Sequence, residues 1–321
     1  MSKGLRSALP ATLACMLIAV HSFAQGGVTN SSKNAQQIAA LHWYGANQTT
    51  TFSVGGFAMG IAYDGANLWV PSETTNSVMK LRANDGAVLG SFAVGNYPDG
   101  IAYDGANMWV ANANDNTVTK LRGSDGTTLG TFNTGSSPSG VAFDGANIWV
   151  ANSGVNYVTK FRASDGTVLG NYLVGAGPTH IAFDGTNIWV SNTSSNTVTK
   201  LLGSTGATLG TFTVGGNPRA LVFDGASIWV PCSLTNNVYK LNANNGSVQG
   251  KYAVGTTPYG VTFDGANIWV VNFASSTVTK LASSNGAVLG TYATGVGPEE
   301  ATFDGTYIWV VNVNDSTVSK L

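Results

Sequence analysis

The sequence predicts an all-β fold, a seven-bladed β-propeller of four-stranded antiparallel blades, on three observations. Trp69, Trp109, Trp149, Trp189, Trp229, Trp269 and Trp309 stand 40 residues apart without an insertion, a period that signals a propeller or an array. Each unit divides into four short runs of alternating apolar and β-branched residues, punctuated by Asp-Gly, as strands joined by tight turns require. Charged residues make up only 10% of the 321, and 41 are glycine, a composition that suits strands and turns better than helices.

In the third unit the four strands are "GVAFDG", "NIWVAN", "YVTKFRA" and "VLGNYLVG", one blade per 40 residues. The seventh unit stops at "TVSKL", in its third strand. Its missing fourth strand stands at the other end, where "TTTFSVGG" at 49–56 matches "LGTFTVGG" at 209–216 and aligns Phe52 with Phe92, Phe132, Tyr172, Phe212, Tyr252 and Tyr292. The N-terminal segment is therefore expected to complete the last blade, closing the ring and hiding its sheet edges. The propeller spans 49–321.

Upstream, Lys3 and Arg6 precede an apolar run over 8–20 and the small residues of Ser22-Phe23-Ala24, the layout of a signal peptide over 1–24. That run is too short to cross a bilayer, so a periplasmic or extracellular protein with no membrane span is expected. Residues 25–48, with "NAQQIAALHWYG", read as an arm or linker. Cys232 is the one cysteine left after the signal peptide, and the net charge of −1 gives no support for nucleic-acid binding. A monomer is expected.

Positions repeated in every unit are expected to be architecture. The Asp of each Asp-Gly, from Asp64 to Asp304, shapes a turn on the bottom face, and the Trp ring packs between blades. The lysines from Lys80 to Lys320 close the third strands towards that face and read as surface partners of the Asp ring, worth at most about 1 kcal/mol each.

Function belongs to what does not repeat. The top loop entering each first strand carries Met59, Asp99, Ser139, Thr179, Arg219, Tyr259 and Glu299, all different. The next position reads Gly60, Gly100, Gly140, His180, Ala220, Gly260 and Glu300. Six acids fall outside the bottom turns: Glu73, Asp99, Asp115, Glu299, Glu300 and Asp315, all in blades one, two and seven. An acidic arc at a propeller mouth suits a hard cation such as Ca²⁺ or Mg²⁺, with Glu299, Glu300 and Asp99 as its candidate ligands. It equally suits a cationic ligand or basic partner. Tyr157, Tyr259, Phe273 and Trp43 can add apolar contact.

The unit "GVAFDGANIWVANSGVNYVTKFRASDGTVLGNYLVGAGP" resembles the bacterial YVTN-type repeat, close to NHL repeats and to the propellers of the virginiamycin B (streptogramin) lyases. The resemblance covers about residues 49–321 and implies the propeller fold. Through the lyases it also implies a divalent cation with paired histidines and a glutamate, opening a cyclic ester. This chain departs from that set: past the signal peptide it has only His42, in the arm, and His180, at the mouth. His180 is the candidate general base. The expected function is therefore a binding or interaction scaffold that recognises a small molecule, glycan or protein through the top face. Its site residues are Glu73, Asp99, Asp115, His180, Arg219, Tyr259, Glu299, Glu300 and Asp315. Metal-assisted lyase or hydrolase chemistry is the alternative.

Overall fold

A computed structural model describes residues 51–321, so the signal-peptide and arm expectations, with His42 and Trp43, lie outside the described residues. The described chain forms seven separate four-stranded antiparallel sheets. In the third blade the strands are Pro138–Phe143, Asn147–Asn152, Tyr157–Arg162 and Val168–Leu173. The seventh sheet runs from the N-terminal strand Thr51–Ser53 to Thr317–Lys320, Ile308–Asn312 and Pro298–Phe303, with Phe52 opposite Val318. The ring closes as the sequence predicts.

Burial follows from the radial arrangement. Second strands are covered on both faces, as in Ile148, Trp149, Val150 and Ala151 at 0% exposure. Fourth strands form the outer wall and alternate exposed with half-buried residues. Each indole fills the seam towards the next blade: Trp109 clusters with Ile148, Val150 and Phe161, and Trp309 with Leu68, Val70 and Leu81 across the closure.

The Asp-Trp-Lys ring is architecture, but not of the kind expected from sequence. Each of the seven ring tryptophans donates its indole N–H to the Asp of its own Asp-Gly turn at 2.7–2.8 Å. The lysines were expected at the surface, yet Lys80, Lys120, Lys160 and Lys200 are 5–7% exposed. Lys160 Nζ sits 4.8 Å from the centre of the Trp149 ring and donates to the Gly203 carbonyl of the following blade at 2.7 Å. The ammonium thus lies over the indole of its own blade and ties it to the next. This is a buried, partnered cation, not a solvated one.

Burial opposes charge on Asp144, but hydrogen bonds from Trp149, Ala146 and Asn147 hold its carboxyl below the ordinary range. An Asp144→Ala change strands the Trp149 indole N–H and deprives Lys160 of its neighbour 4.0 Å away. The expected cost is about 2 kcal/mol, read as a lower urea midpoint. An unchanged midpoint would reduce the ring to a coincidence of repetition.

Two blades depart from the expected four full strands. First strands in blades one and five shrink to Ala62–Tyr63 and Val222–Phe223, each preceded by an isolated bridge, Ala58–Ser72 and Pro218–Cys232. The cause lies opposite. These are the two blades whose second strands carry proline, Pro71 and Pro231, and proline has no N–H to give the ladder. Met59 and Arg219 therefore sit on irregular backbone just before those short strands.

Candidate functional site

The first strands converge on a central channel, and their upper ends form its mouth. Glycine stands at the mouth in blades one, two, three and six for a steric reason: a Cβ on Gly140 would lie 2.4 Å from the Thr179 carbonyl oxygen of the next blade. His180 and Glu300 break this pattern in blades four and seven. Their side chains meet across the channel, His180 Nε2 lying 3.1 Å from Glu300 Oε1. Sequence placed these residues in loops, but both belong to first strands, Pro178–Phe183 and Pro298–Phe303, as does Asp99 in Pro98–Tyr103.

Blade four has a local device for holding the histidine. In blades two, three, six and seven the register slips between the first-strand proline and the third residue after it. In blade four it slips one residue earlier, so that His180 pairs with Ser191. The fully buried Ser191 hydroxyl accepts from the His180 backbone N–H at 3.1 Å. Ser191 occupies the position held by Pro71, Ala111, Ala151, Pro231, Val271 and Val311 in the other units. That single hydroxyl was the available signal, and sequence reading passed over it.

Asp99, His180 and Glu300 line a channel cavity of about 140 Å³ whose remaining wall is glycine and aliphatic. Burial raises the Asp99 pKa, and Glu300 adds to the rise against the pull of His180 and Arg219. The His180 Nδ1 atom is enclosed and has no hydrogen-bond partner. Glu300 occupies Nε2, and the unpartnered Nδ1 is walled off from the cavity surface where a substrate proton would have to lie.

A second, more open cleft of about 420 Å³ lies beside the mouth, over blades six, seven, one and two. Glu73 and Glu299 line it, together with Phe57, Tyr97, Tyr259 and Phe273. Burial, reinforced by Asp99 and Glu300, pushes Glu299 up to about 8, while burial takes Glu73 to about 7. Arg219 stacks 4.2 Å from the centre of the Tyr259 ring and donates to its hydroxyl at 2.9 Å. Tyr259 in turn lies 5.1 Å from Phe273, centre to centre.

The expected site thus divides. Asp99, His180 and Glu300 share the channel; Glu73, Tyr259 and Glu299 share the cleft, with Arg219 packed on Tyr259. Asp115 and Asp315 join neither. Asp115 accepts from the Asn96 backbone at 2.7 Å and Asp315 from that of Val296, so both brace loops. Tyr157 lines neither cavity. Phe57 and Tyr97 were missed, although they are the only aromatics at their position, aligned with Ser137, Gly177, Asn217, Thr257 and Gly297.

The suggested cation site fares differently. Asp99 and Glu300 face the channel while Glu299 faces the cleft, and no group of three or more His, Cys, Asp or Glu among the described residues is placed to hold a metal ion. The donor set does not fit the divalent cation that the lyase resemblance implies. Cys232 is fully buried, with its thiol pushed up to about 12 by burial, and has no thiolate character to offer.

Two solved structures bear on the fold. The chain is similar to Kuenenia stuttgartiensis hydrazine synthase at 20% identity and a TM-score of 0.74, over 84% of this chain and 96% of that one. It is also similar to a streptogramin B lyase at 17% identity and a TM-score of 0.70, over 83% and 93%. The likeness is one of fold. Sites are grafted onto propellers independently of their architecture, so neither activity transfers by shape alone. No protein-family model and no curated protein matches the sequence.

Proposed function

We propose that the protein is an exported propeller that binds a small molecule, glycan or protein partner through the variable acidic face at the channel mouth. The observation that carries this reading is the His180–Glu300 contact. Ring geometry calls for glycine at that position, yet the two large polar substitutions meet across the channel at 3.1 Å. Asp99 beside them has no hydrogen-bonded cation, and the clustered negative charge favours cationic groups. Export rests on the N-terminal sequence pattern.

Binding is favoured over catalysis because both histidine nitrogens are engaged or enclosed. The test is a differential-scanning panel of metabolites, glycans and basic peptides against wild type and His180→Ala/Glu300→Ala. A true ligand at about 100 times its Kd adds roughly 2.7 kcal/mol to stability, and that shift is expected to vanish in the double variant. A ligand that shifts both proteins equally binds elsewhere and defeats the assignment.

A further inference from the structure

We propose that the cleft beside the mouth binds an organic ammonium ion, its charge held by Glu73 and Glu299 and its apolar substituents by Phe57, Tyr97 and Phe273. The inference rests on the reading of the top face as a ligand surface and names the chemical class that the surface takes.

Charge is the first argument. Among the described residues neither Glu73 nor Glu299 forms an ion pair. Glu73 Oε1 is enclosed without a hydrogen-bond partner, in a wall otherwise rich in aromatic side chains. Enclosed carboxylates are costly unless a cation joins them. Arg219 is the nearby cation, but its guanidinium lies on Tyr259 and bonds to the phenol. Burial raises Glu299 and Glu73 to about 8 and 7, the rise at Glu73 standing against a hydrogen bond from the Tyr97 phenol that pulls the other way, and neither carboxylate has a cation bound to it.

The wall is the second argument, and it selects the kind of cation. A hard metal ion asks for about six or more oxygen ligands, whereas this cleft supplies two carboxylates and mostly aromatic and aliphatic surface. Ring faces attract weakly hydrated cations such as ammonium groups bearing carbon substituents. A volume of about 420 Å³ lies within the range of small-molecule pockets, roughly 300–1,000 Å³.

Backbone strain is the third argument. Tyr97 has φ of 58°, in the left-handed region where the equivalent residues are Ser137, Asn217, Thr257 and two glycines. A bulky ring there is uncommon and costs on the order of 1 kcal/mol. Asn76 Oδ1 accepts from the Tyr97 N–H at 3.1 Å and holds it in place. Tyr97 is 42% exposed, so burial does not offset the strain, and its phenol faces Glu73 in the cleft.

Titration calorimetry with choline, its neutral carbon isostere 3,3-dimethylbutanol and CaCl₂, at constant ionic strength, tests the assignment. Wild type is expected to bind choline about tenfold more tightly than the isostere, the scale of one desolvated cation–π contact. Glu73→Gln/Glu299→Gln is expected to erase that preference. Tyr97→Ser, which installs the residue found at the equivalent Ser137, is expected to weaken choline several-fold and leave the melting temperature unchanged or higher. Choline affinity is also expected to rise with pH between about 6 and 9 as Glu73 and Glu299 ionise, with Asp99, Glu300, Tyr97 and Arg219 the other groups facing them. Equal binding of choline and isostere would overturn the ammonium assignment and leave the mouth as a ligand surface. Binding of Ca²⁺ alone would overturn it in favour of a metal. No binding of any probe, alongside a metabolite that depends on His180 and Glu300, would remove the cleft while sparing the channel.

Discussion

A chain truncated to begin at Val54 is expected to melt about 10 °C or more below the full protein and to associate in a concentration-dependent way. The truncation removes the outermost strand of blade seven, leaving Thr317–Lys320 as a bare sheet edge open to pairing with another chain. It also removes Phe52, whose ring lies 5.5 Å from Trp309, centre to centre. The next blade clamps that ring. A Cβ on Gly86 would fall 2.0 Å from the Phe52 ring, and Gly86 has φ of 71°, so only glycine lets the turn close over it. The point change Phe52→Ala is expected to cost about 3 kcal/mol, or roughly 6–12 °C in a domain of this size. Phe52→Tyr supplies the control, because Tyr172, Tyr252 and Tyr292 hold the equivalent position in three blades. Melting curves and size-exclusion chromatography read both effects. Indifference to Phe52→Ala would mean that the ring does not depend on its closing strand.

Stability is expected to fall as pH rises from about 5 to 9, the reverse of what well-paired carboxylates give. Glu299 and Glu73 have folded-state values of about 8 and 7, well above the ordinary carboxylate value of about 4.3. Folding therefore takes up protons across that interval. The contribution of each group is complete below about pH 4 and is lost as pH climbs through its folded value. Asp99, also raised by burial, acts in the same direction. The turn aspartates act oppositely: Asp64, Asp144, Asp184 and Asp264 are held low, so their contribution is lost as pH falls through the acid range. Maximal stability is expected near pH 5, with a decline on the order of 3 kcal/mol by about pH 9 once solvent screening, strongest at the part-exposed Glu73, halves the roughly 6 kcal/mol the two shifts would give. Glu73→Gln/Glu299→Gln is expected to flatten the alkaline limb and leave the acid limb untouched. An alkaline limb of the same slope in the double variant would assign the dependence to other groups.

The architecture was almost wholly legible because repetition amplified it. Seven copies of Asp-Gly and Trp-Val spaced by 40 residues define strand order, and the truncated seventh unit beside "TTTFSVGG" reveals the closure. The shortened first strands were equally legible in Pro71 and Pro231, had the missing N–H been followed across the ladder. The buried lysines were not. Spacing alone cannot say that Lys160 reaches across an indole to a carbonyl in the next blade, because that contact depends on blade twist. The site was half legible. Departure from the repeat located Asp99, His180, Glu299 and Glu300, but direction decides their partners. Residues 299 and 300 are adjacent in sequence and, on an inner strand, face two different cavities. Asp115 and Asp315 share the composition of the arc while serving only as acceptors for loop amides.

The seam in blade seven also sets the order in which the ring can assemble. Within the first six blades every strand pairs with another from the same 40-residue unit, so those sheets form through short loops at little entropic cost. Phe52 and Val318 come from opposite ends of the described chain, and joining them means closing a loop of nearly its whole length. Contacts of such long range are the costliest to close and form after the main barrier. Weakening the seam therefore accelerates unfolding more than it slows folding, and the lifetime of the native ring is governed by three residues at one end.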